Sequence, residues 1–490
     1  MRGRTAAGSR PRDLRQYPRR SVVVVTMSRD TAASRDTAGW TSGYGGRGMR
    51  GRSTELTRAV RPPPPLESPS ATYEVNAASQ MRFSVIIPTF KRAQLLGHAI
   101  RAALAQTHTD REILVVDDGS PDDTRSIAST FGEAVRYLRQ DNKGKSAALN
   151  LGISASTGDA IIVLDDDDLF PPWTVAKHAE ALERNPDADF SFGRFVRFRG
   201  DRPPSSSDLW DEEFVPTHDP RRLVVKLMEN CFLPNPAWAV RRGAQIRVGP
   251  YDESMYYSHD YDMILRLART NEGVFIDEPV LYQRKHLSYR GPSAEGTFIL
   301  DTVGKWVKYD ALLFKKLDRE WSLSDFRPFR DETPSIRQEA LALLQKGVIL
   351  FQRKVYDGAT RALTEYRRHL DGRSPDPVEL AIATGLLGCR YGIADLVPGK
   401  NSNGDIVHAF RSKHWPLSMR MAFASQIRWR VRSALILGDV GYALDLVKFS
   451  CQVFGLSATG AVLSSRFKLP SGKGGIEHLG SQIRTGASKC

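Results

Sequence analysis

From Arg82 onward, short apolar runs alternate with longer amphipathic ones. "FSVIIP" (83–88) has the length and composition of a buried strand, and "AQLLGHAIRAALAQ" (93–106) sets Leu96, Ala99, Ile100 and Ala103 on one helical face. "EILVVDDGS" (112–120) reads as a second strand stopped by an Asp-Gly turn. A helix at "DDTRSIASTF", a short strand at "AVRYLRQ", a helix at "KSAALNLGISAS" and a strand at "DAIIVL" continue the alternation. Strands that are apolar at nearly every position, alternating with helices, predict an α/β fold: a mostly parallel twisted sheet with helices on both faces. "VFIDEPVLYQRKHLSYRG" (274–291) predicts a closing strand and a basic loop. Beyond about Phe298 the period becomes helical. Leu341, Leu344, Val348, Phe351 and Val355, and later Val440, Leu444, Val447 and Cys451, recur at spacings of three and four. The expected division is an α/β domain over 81–297, a helical C-terminal region over 298–466 and a flexible end over 467–490.

Residues 1–80 break this pattern. They are rich in Arg, Gly, Ser, Thr and Pro, include "RPPPPLESPS", and have no sustained apolar period, so they cannot bury enough surface to offset their chain entropy. A disordered basic tail is expected there. Its fourteen Arg, no Lys and six acidic residues supply +8 of the chain's net charge of +14. The absence of Lys and Ile also fits a mis-assigned start, with translation beginning at Met81. Because more than half of the surplus charge lies in this tail, the basic balance does not argue for a nucleic-acid partner. No stretch reaches ~18 apolar residues without a charge, so no transmembrane helix is expected and the chain reads as cytoplasmic. The four cysteines lack the paired spacing of zinc or redox sites and read as free thiols. "RSKHWPLSMRMAFASQIRWRVR" (411–432) mixes Arg with Trp, Phe and Met. Helix packing with a solvated basic face is expected, and peripheral contact with an anionic inner membrane face is the alternative.

Two acidic clusters point to a ligand site. "DDGS" and "LDDDDLFPP" each follow a buried strand, at the carboxyl ends where open sheets of this type bind ligands. If the chain stays extended, Asp165 and Asp167 project to one side, and carboxylates a few ångströms apart repel by about 1 kcal/mol or more at surface-like dielectric. A hard divalent cation such as Mn2+ or Mg2+ removes that cost; a solvated acidic loop is the alternative. "GKS" at 144–146 does not continue a triphosphate-binding loop, because the earlier Gly would fall at Arg139. It reads instead as a helix start, whose free amides suit phosphate.

"FSVIIPTFKRAQLLGHAIRAALAQTHTDREILVVDDGSPDDT", "NKGKSAALNLGISASTGDAIIVLDDDDLFPP" and "GPYDESMYYSHDYDMILRLA", in that order and spacing, resemble glycosyltransferase family 2 from Met81 to about Arg290. The resemblance implies a GT-A fold, a nucleotide-sugar donor (a UDP-sugar by expectation), a divalent metal, and inverting transfer to a hydroxyl of a glycan, lipid-linked or other acceptor, as in cell wall or polysaccharide synthesis. It places Pro88, Thr89, Phe90 and Asp118 on the uridine side, with Lys145 in the donor region. The Asp-x-Asp signature falls on Asp165 and Asp167, with Asp166 at the variable, donor-facing position. Asp118 as a plain turn residue is the alternative. "SHDYDMILRLA" reads as an amphipathic helix with its acids at the start. There the resemblance makes Asp260 the catalytic base and Asp262 structural, while His259 departs from the Glu that family members commonly carry. In "YQRKH", His286 is implied as a third metal ligand and Arg284 as a phosphate neighbour. Trp238 is expected to pack in the core rather than stack on sugar. A sugar-1-phosphate nucleotidyltransferase would need a Gly-rich loop that "IPTFKRAQLL" lacks. A non-catalytic nucleotide-sugar or glycan-binding protein remains the second reading.

Overall fold

The computed structural model describes residues 81–200, 204, 209–210, 215–217, 219–285, 299–329, 333–389, 393–396 and 415–464. The expectations for residues 1–80, for His286 and for the end beyond residue 466 lie outside them. In chain order the α/β part comprises β1 (Phe83–Thr89), α1 (Ala93–Leu104), β2 (Arg111–Asp117), α2 (Thr124–Ser129), β3 (Arg136–Arg139), α3 (Lys145–Ala155), β4 (Ala160–Val163) and α4 (Thr174–Arg184). It continues with β5 (Phe190–Phe198), β6 (Leu209–Trp210), α5 (Pro220–Glu229), β7 (Trp238–Arg241), α6 (Arg242–Val248), α7 (His259–Thr270) and β8 (Gly273–Arg284). The sheet order is β3-β2-β1-β4-β7-β5-β6, with β8 paired to β5. β1, β2, β3 and β4 are parallel, β7 and β6 run antiparallel to their partners, and β8 is parallel to β5.

Alternating side chains of the central strands feed two cores, as a period of two requires. Val85, Ile87, Ile113, Val115 and Ile162 pack with Leu96, Ala99, Ile100 and Ala103 of α1 and with α4. Ile86, Val116, Ile161 and Val163 open on the other face into a cluster that includes Met263, Ile264 and Leu267 of α7. Every residue of β1 is buried, which is why the sequence reads as a continuous apolar run. Trp238 is 2% exposed and packs in the second of these cores.

That same apolar cluster continues without a break into the helices that follow: α8 (Ile299–Glu320), α9 (Ile336–Gln352), α10 (Tyr356–Leu370), α11 (Pro377–Ala383), α12 (Leu417–Ala424), α13 (Ile427–Ile436), α14 (Val440–Phe454) and α15 (Leu456–Leu463). Leu341, Leu344, Val348, Phe351 and Val355 are all buried, as their spacing suggests. The later stripe is turned outward: Val440 and Leu444 are exposed, and the packed face of α14 is Ala443, Leu446, Phe449 and Val453. Trp415, Met419, Met421 and Phe423 of the basic aromatic segment pack inside, while Trp429 is exposed. No helix among the described residues is long and apolar enough to cross a membrane.

One buried group gives the fold a pH dependence. His178 on α4 is fully buried, its Nδ1 lies 2.7 Å from Ser191 Oγ, and burial pushes its pKa down to about 3. In the unfolded chain a His takes up its proton near pH ~6.5. Between those values the unfolded state binds the extra proton, so stability falls as pH drops through the window, by at most ~1.4 kcal/mol per pH unit from this residue. The urea midpoint should therefore fall more between pH 7.5 and 5 for the wild type than for His178→Gln. Equal falls would assign the effect to other groups.

Candidate active site

β1, β2 and β4 point their carboxyl ends to one edge of the sheet, and β1 lies between the other two. Strand order reverses there, running to β2 and β3 on one side of β1 and to β4 on the other, which opens a crevice at the strand ends. A cleft of about 330 Å³ occupies it. Pro88, Thr89 and Phe90 line it from the end of β1, Asp118 from the end of β2, Lys145 from the start of α3, Asp165, Asp166 and Asp167 from beyond β4, and Asp260 from the first turn of α7.

The acidic residues converge by a turn rather than by extended alternation. Leu164 still donates to Ile86 O at 2.9 Å, but the Asp168 amide then folds back on Asp165 O at 3.0 Å. The turn gathers Asp165, Asp167 and Asp168, each offering one carboxylate oxygen, with these atoms within 4.8 Å of one another. Asp168 was not singled out by the sequence pattern, because an extended strand would point it away.

Cations hold this cluster together. Arg92 Nη1 lies 2.9 Å from Asp166 Oδ1 and 2.7 Å from Asp167 Oδ2, and Thr89 Oγ1 donates to Asp166 Oδ2 at 2.8 Å. The Asp166 charge keeps the Arg92 guanidinium far above its ordinary range despite burial, with Asp167 adding to the effect. Burial pushes the Asp166 carboxyl up; Arg92 and Thr89 oppose this, and Asp167 reinforces it. Arg284 is 1% exposed and braces the loop from behind: its backbone N–H donates to Asp168 Oδ1 and its Nε to Asp167 O, both at 2.8 Å. Three convergent carboxylate oxygens are the hard donor set that Mn2+ or Mg2+ takes, so these residues fit the cation that the acidic cluster suggests.

Lys145 Nζ lies 2.7 Å from Asp165 Oδ1. Burial works against its charge, but Asp165, then Asp260 and Asp167, outweigh it and hold the ammonium above its usual range. The loop that delivers Lys145 is latched by Asp118, whose Oδ1 accepts from Gln140 Nε2 at 2.7 Å and the Lys143 amide at 2.8 Å, and whose Oδ2 accepts from the Gly144 amide at 2.8 Å. Two glycines are required there. A Cβ on Gly119 (φ +80°) would meet Asn142 N at 2.9 Å, and Gly144 takes φ +94° just before α3.

Asp260 Oδ1 accepts from the Tyr261 amide at 2.9 Å. Asp262 points elsewhere: it is 1% exposed and paired with Arg266 at 2.7 Å. His259 also lines the cleft, and neither of its ring nitrogens has a hydrogen-bond partner among the described residues. Burial pushes its pKa down, Asp260 opposing and Lys145 adding to the shift. Arg92, Tyr256, Tyr257 and Trp306 also line the cleft, and the sequence pattern does not point to them. Arg92 does stand right after a strand end, where site residues gather; Trp306 belongs to α8, some 140 residues beyond the acidic loop, and no local pattern marks it.

Part of the chain is similar to known proteins. The glycosyl transferase family 2 model matches residues 84–248. An uncharacterised glycosyltransferase of Rickettsia typhi is 30% identical over 213 residues, which is 41% of this chain and 64% of that protein. One from Nostoc is 37% identical over 107 residues, 21% of this chain and 33% of the relative. The chain thus spans less than two thirds of these relatives. Among solved structures, S. aureus TarS 1–349 in complex with UDP-GlcNAc aligns with TM-score 0.42 and 14% identity, over 80% of this chain and 95% of that one. Mannosyltransferase PcManGT of Pyrobaculum calidifontis in complex with GDP-Man and Mn2+ gives 0.40 and 16%, over 82% and 92%. Residues 84–248, which carry most of this cleft, are thus similar to glycosyl transferase family 2.

Proposed function

We propose that the protein is an inverting glycosyltransferase that moves a sugar from a nucleoside-diphosphate donor, a UDP-sugar by preference, to an acceptor hydroxyl. The observation that carries this reading is the meeting of the acidic turn after β4, the Lys145 ammonium and the Asp260 carboxylate in one cleft. Pro88, Thr89, Phe90 and Asp118 border the end of the cleft assigned to the nucleoside. Asp118 serves there as the latch that fixes the 140–144 loop, and so bears on the donor through Lys145. Asp165, Asp167 and Asp168 would hold the cation, which when bound supplies positive charge for the departing diphosphate. Lys145 adds a fixed positive charge beside them. Arg92 and Arg284 keep the carboxylates in place by pairing and by bracing the turn. Asp260 accepts the proton of the acceptor hydroxyl as its oxygen attacks the anomeric carbon from the side opposite the diphosphate. Tyr256, Tyr257 and Trp306 give the open side of the cleft aromatic faces of the kind that sugars stack on.

A donor and acceptor screen with mass readout tests the proposal: UDP- and GDP-sugars with Mn2+, against free glycans and against lipid-linked acceptors in anionic vesicles. The vesicle arm is included because exposed Trp429, Leu435, Ile436 and Leu437 beside Arg428 and Arg432 would suit peripheral contact with such a surface. A glycosylated product, or slow donor hydrolysis to the nucleoside diphosphate, is the expected result. Donor binding with neither product nor hydrolysis would instead make the protein a nucleotide-sugar binder on the same fold.

A further inference from the structure

The turn that presents Asp260 is held from the helical region rather than from the sheet. Ser258, just ahead of α7, is buried and left-handed at φ +60°, a conformation that disfavours residues other than Gly, Asn and Asp. Its Oγ donates to Asp310 Oδ1 of α8 at 2.6 Å. Asp310 Oδ2 is in turn 3.0 Å from Arg353 Nη1 at the end of α9, both side chains 5% exposed or less. Arg353 Nη2 donates to Tyr261 Oη at 2.8 Å and to Met228 O at 2.9 Å, and its guanidinium lies 5.2 Å from the Tyr261 ring centre. Residues two before and one after Asp260 are therefore both tied to one buried ion pair. Asp310 is also one helical turn beyond Trp306, so the face of α8 that holds Ser258 also reaches the cleft.

A buried ion pair is weak evidence for stability, since its desolvation offsets most of the attraction; what this one does is tie the two flanks of Asp260 to one point. We infer that Asp310 and Arg353 are positioning residues for the transfer reaction: they hold Ser258 in its left-handed conformation and thereby aim the Asp260 carboxylate at the acceptor hydroxyl. The helical region is on this account a working part of the active site. The inference rests on the reading of Asp260 as the base.

Ser258→Gly, Asp310→Asn and Asp310→Ala test it in the full-length chain. Ser258→Gly keeps φ +60° accessible while deleting the hydroxyl, so it leaves the fold the least disturbed. Asp310→Asn keeps an acceptor for Ser258 and removes the charge facing Arg353. A displacement of the base by ~1 Å lowers turnover by about 10²-fold. The expected result is a kcat drop of that order in Ser258→Gly and Asp310→Ala, with a smaller one in Asp310→Asn. KM for the donor and calorimetric UDP affinity should stay near wild type, and the melting transition should stay cooperative. Wild-type kcat in folded Ser258→Gly and Asp310→Asn would overturn the inference, as would losses that follow the unfolded fraction. Asp260→Asn run in parallel separates the two claims. If it is inactive while these variants are active, only the positioning role fails; if it is active, the base assignment itself fails.

Discussion

Asp260→Asn is expected to lower kcat for sugar transfer by ~10²–10⁴-fold, the range that a positioned general base supplies, with nucleotide affinity close to wild type. The substitution is nearly isosteric, and the amide oxygen can still accept from the Tyr261 amide as Asp260 Oδ1 does at 2.9 Å. What it loses is the second carboxylate oxygen, Oδ2, which has no hydrogen-bond partner among the described residues and is free for a substrate proton. An amide cannot take that proton at neutral pH. Asp262→Asn is the informative control: Asp262 faces Arg266 at 2.7 Å, so its loss should lower the melting temperature more than it lowers turnover per folded molecule. Turnover of Asp260→Asn within a few-fold of wild type, measured under saturating donor and acceptor, would remove the base from this position.

The second large effect is expected from the acidic turn. Replacing both Asp165 and Asp167 with Ala removes two of the three convergent oxygens and leaves Asp168 alone. It also takes the Lys145 ammonium's partner at 2.7 Å and one of the two carboxylates on Arg92, which keeps Asp166 at 2.9 Å. A metal's stabilisation of a departing diphosphate is worth several kcal/mol, and ~4 kcal/mol corresponds to about 10³ in rate. Donor turnover should fall by that order, and added Mn2+ should not restore it. The variant is expected to remain folded, because Arg284 braces the turn mainly through the Asp167 backbone carbonyl and Asp168, which it retains.

The part of this architecture visible in the sequence is the part written in local pattern. β1 and β2 are apolar at consecutive positions because both faces of the sheet are covered, and α1 shows its buried stripe at the expected spacing. The acidic turn, Lys145 and Asp260 stand at strand or helix ends, where chain direction alone brings them to one edge. What the sequence hides is side-chain pairing between distant segments. Arg92 meets Asp166 across 74 residues, and Arg353 meets Tyr261 across 92; neither pair lies in a shared motif. The outward stripe of α14 misleads for the same reason: Val440 and Leu444 have helical spacing, yet only the neighbours of α14 decide that Leu446 and Phe449 face the core instead. Asp118 lies where the pattern puts it, but its carboxylate is spent on three loop hydrogen bonds that no spacing rule records.

The proposed mechanism requires that a diphosphate be bound through the carboxylates beyond β4. Isothermal titration of UDP into the wild-type chain, with Mn2+ and again in excess EDTA, and into Asp165→Ala/Asp167→Ala with Mn2+, tests this directly. Binding with Mn2+ that weakens by about 100-fold or more, or ~2.7 kcal/mol, in the other two titrations is the predicted result. Equal affinity in all three would contradict it.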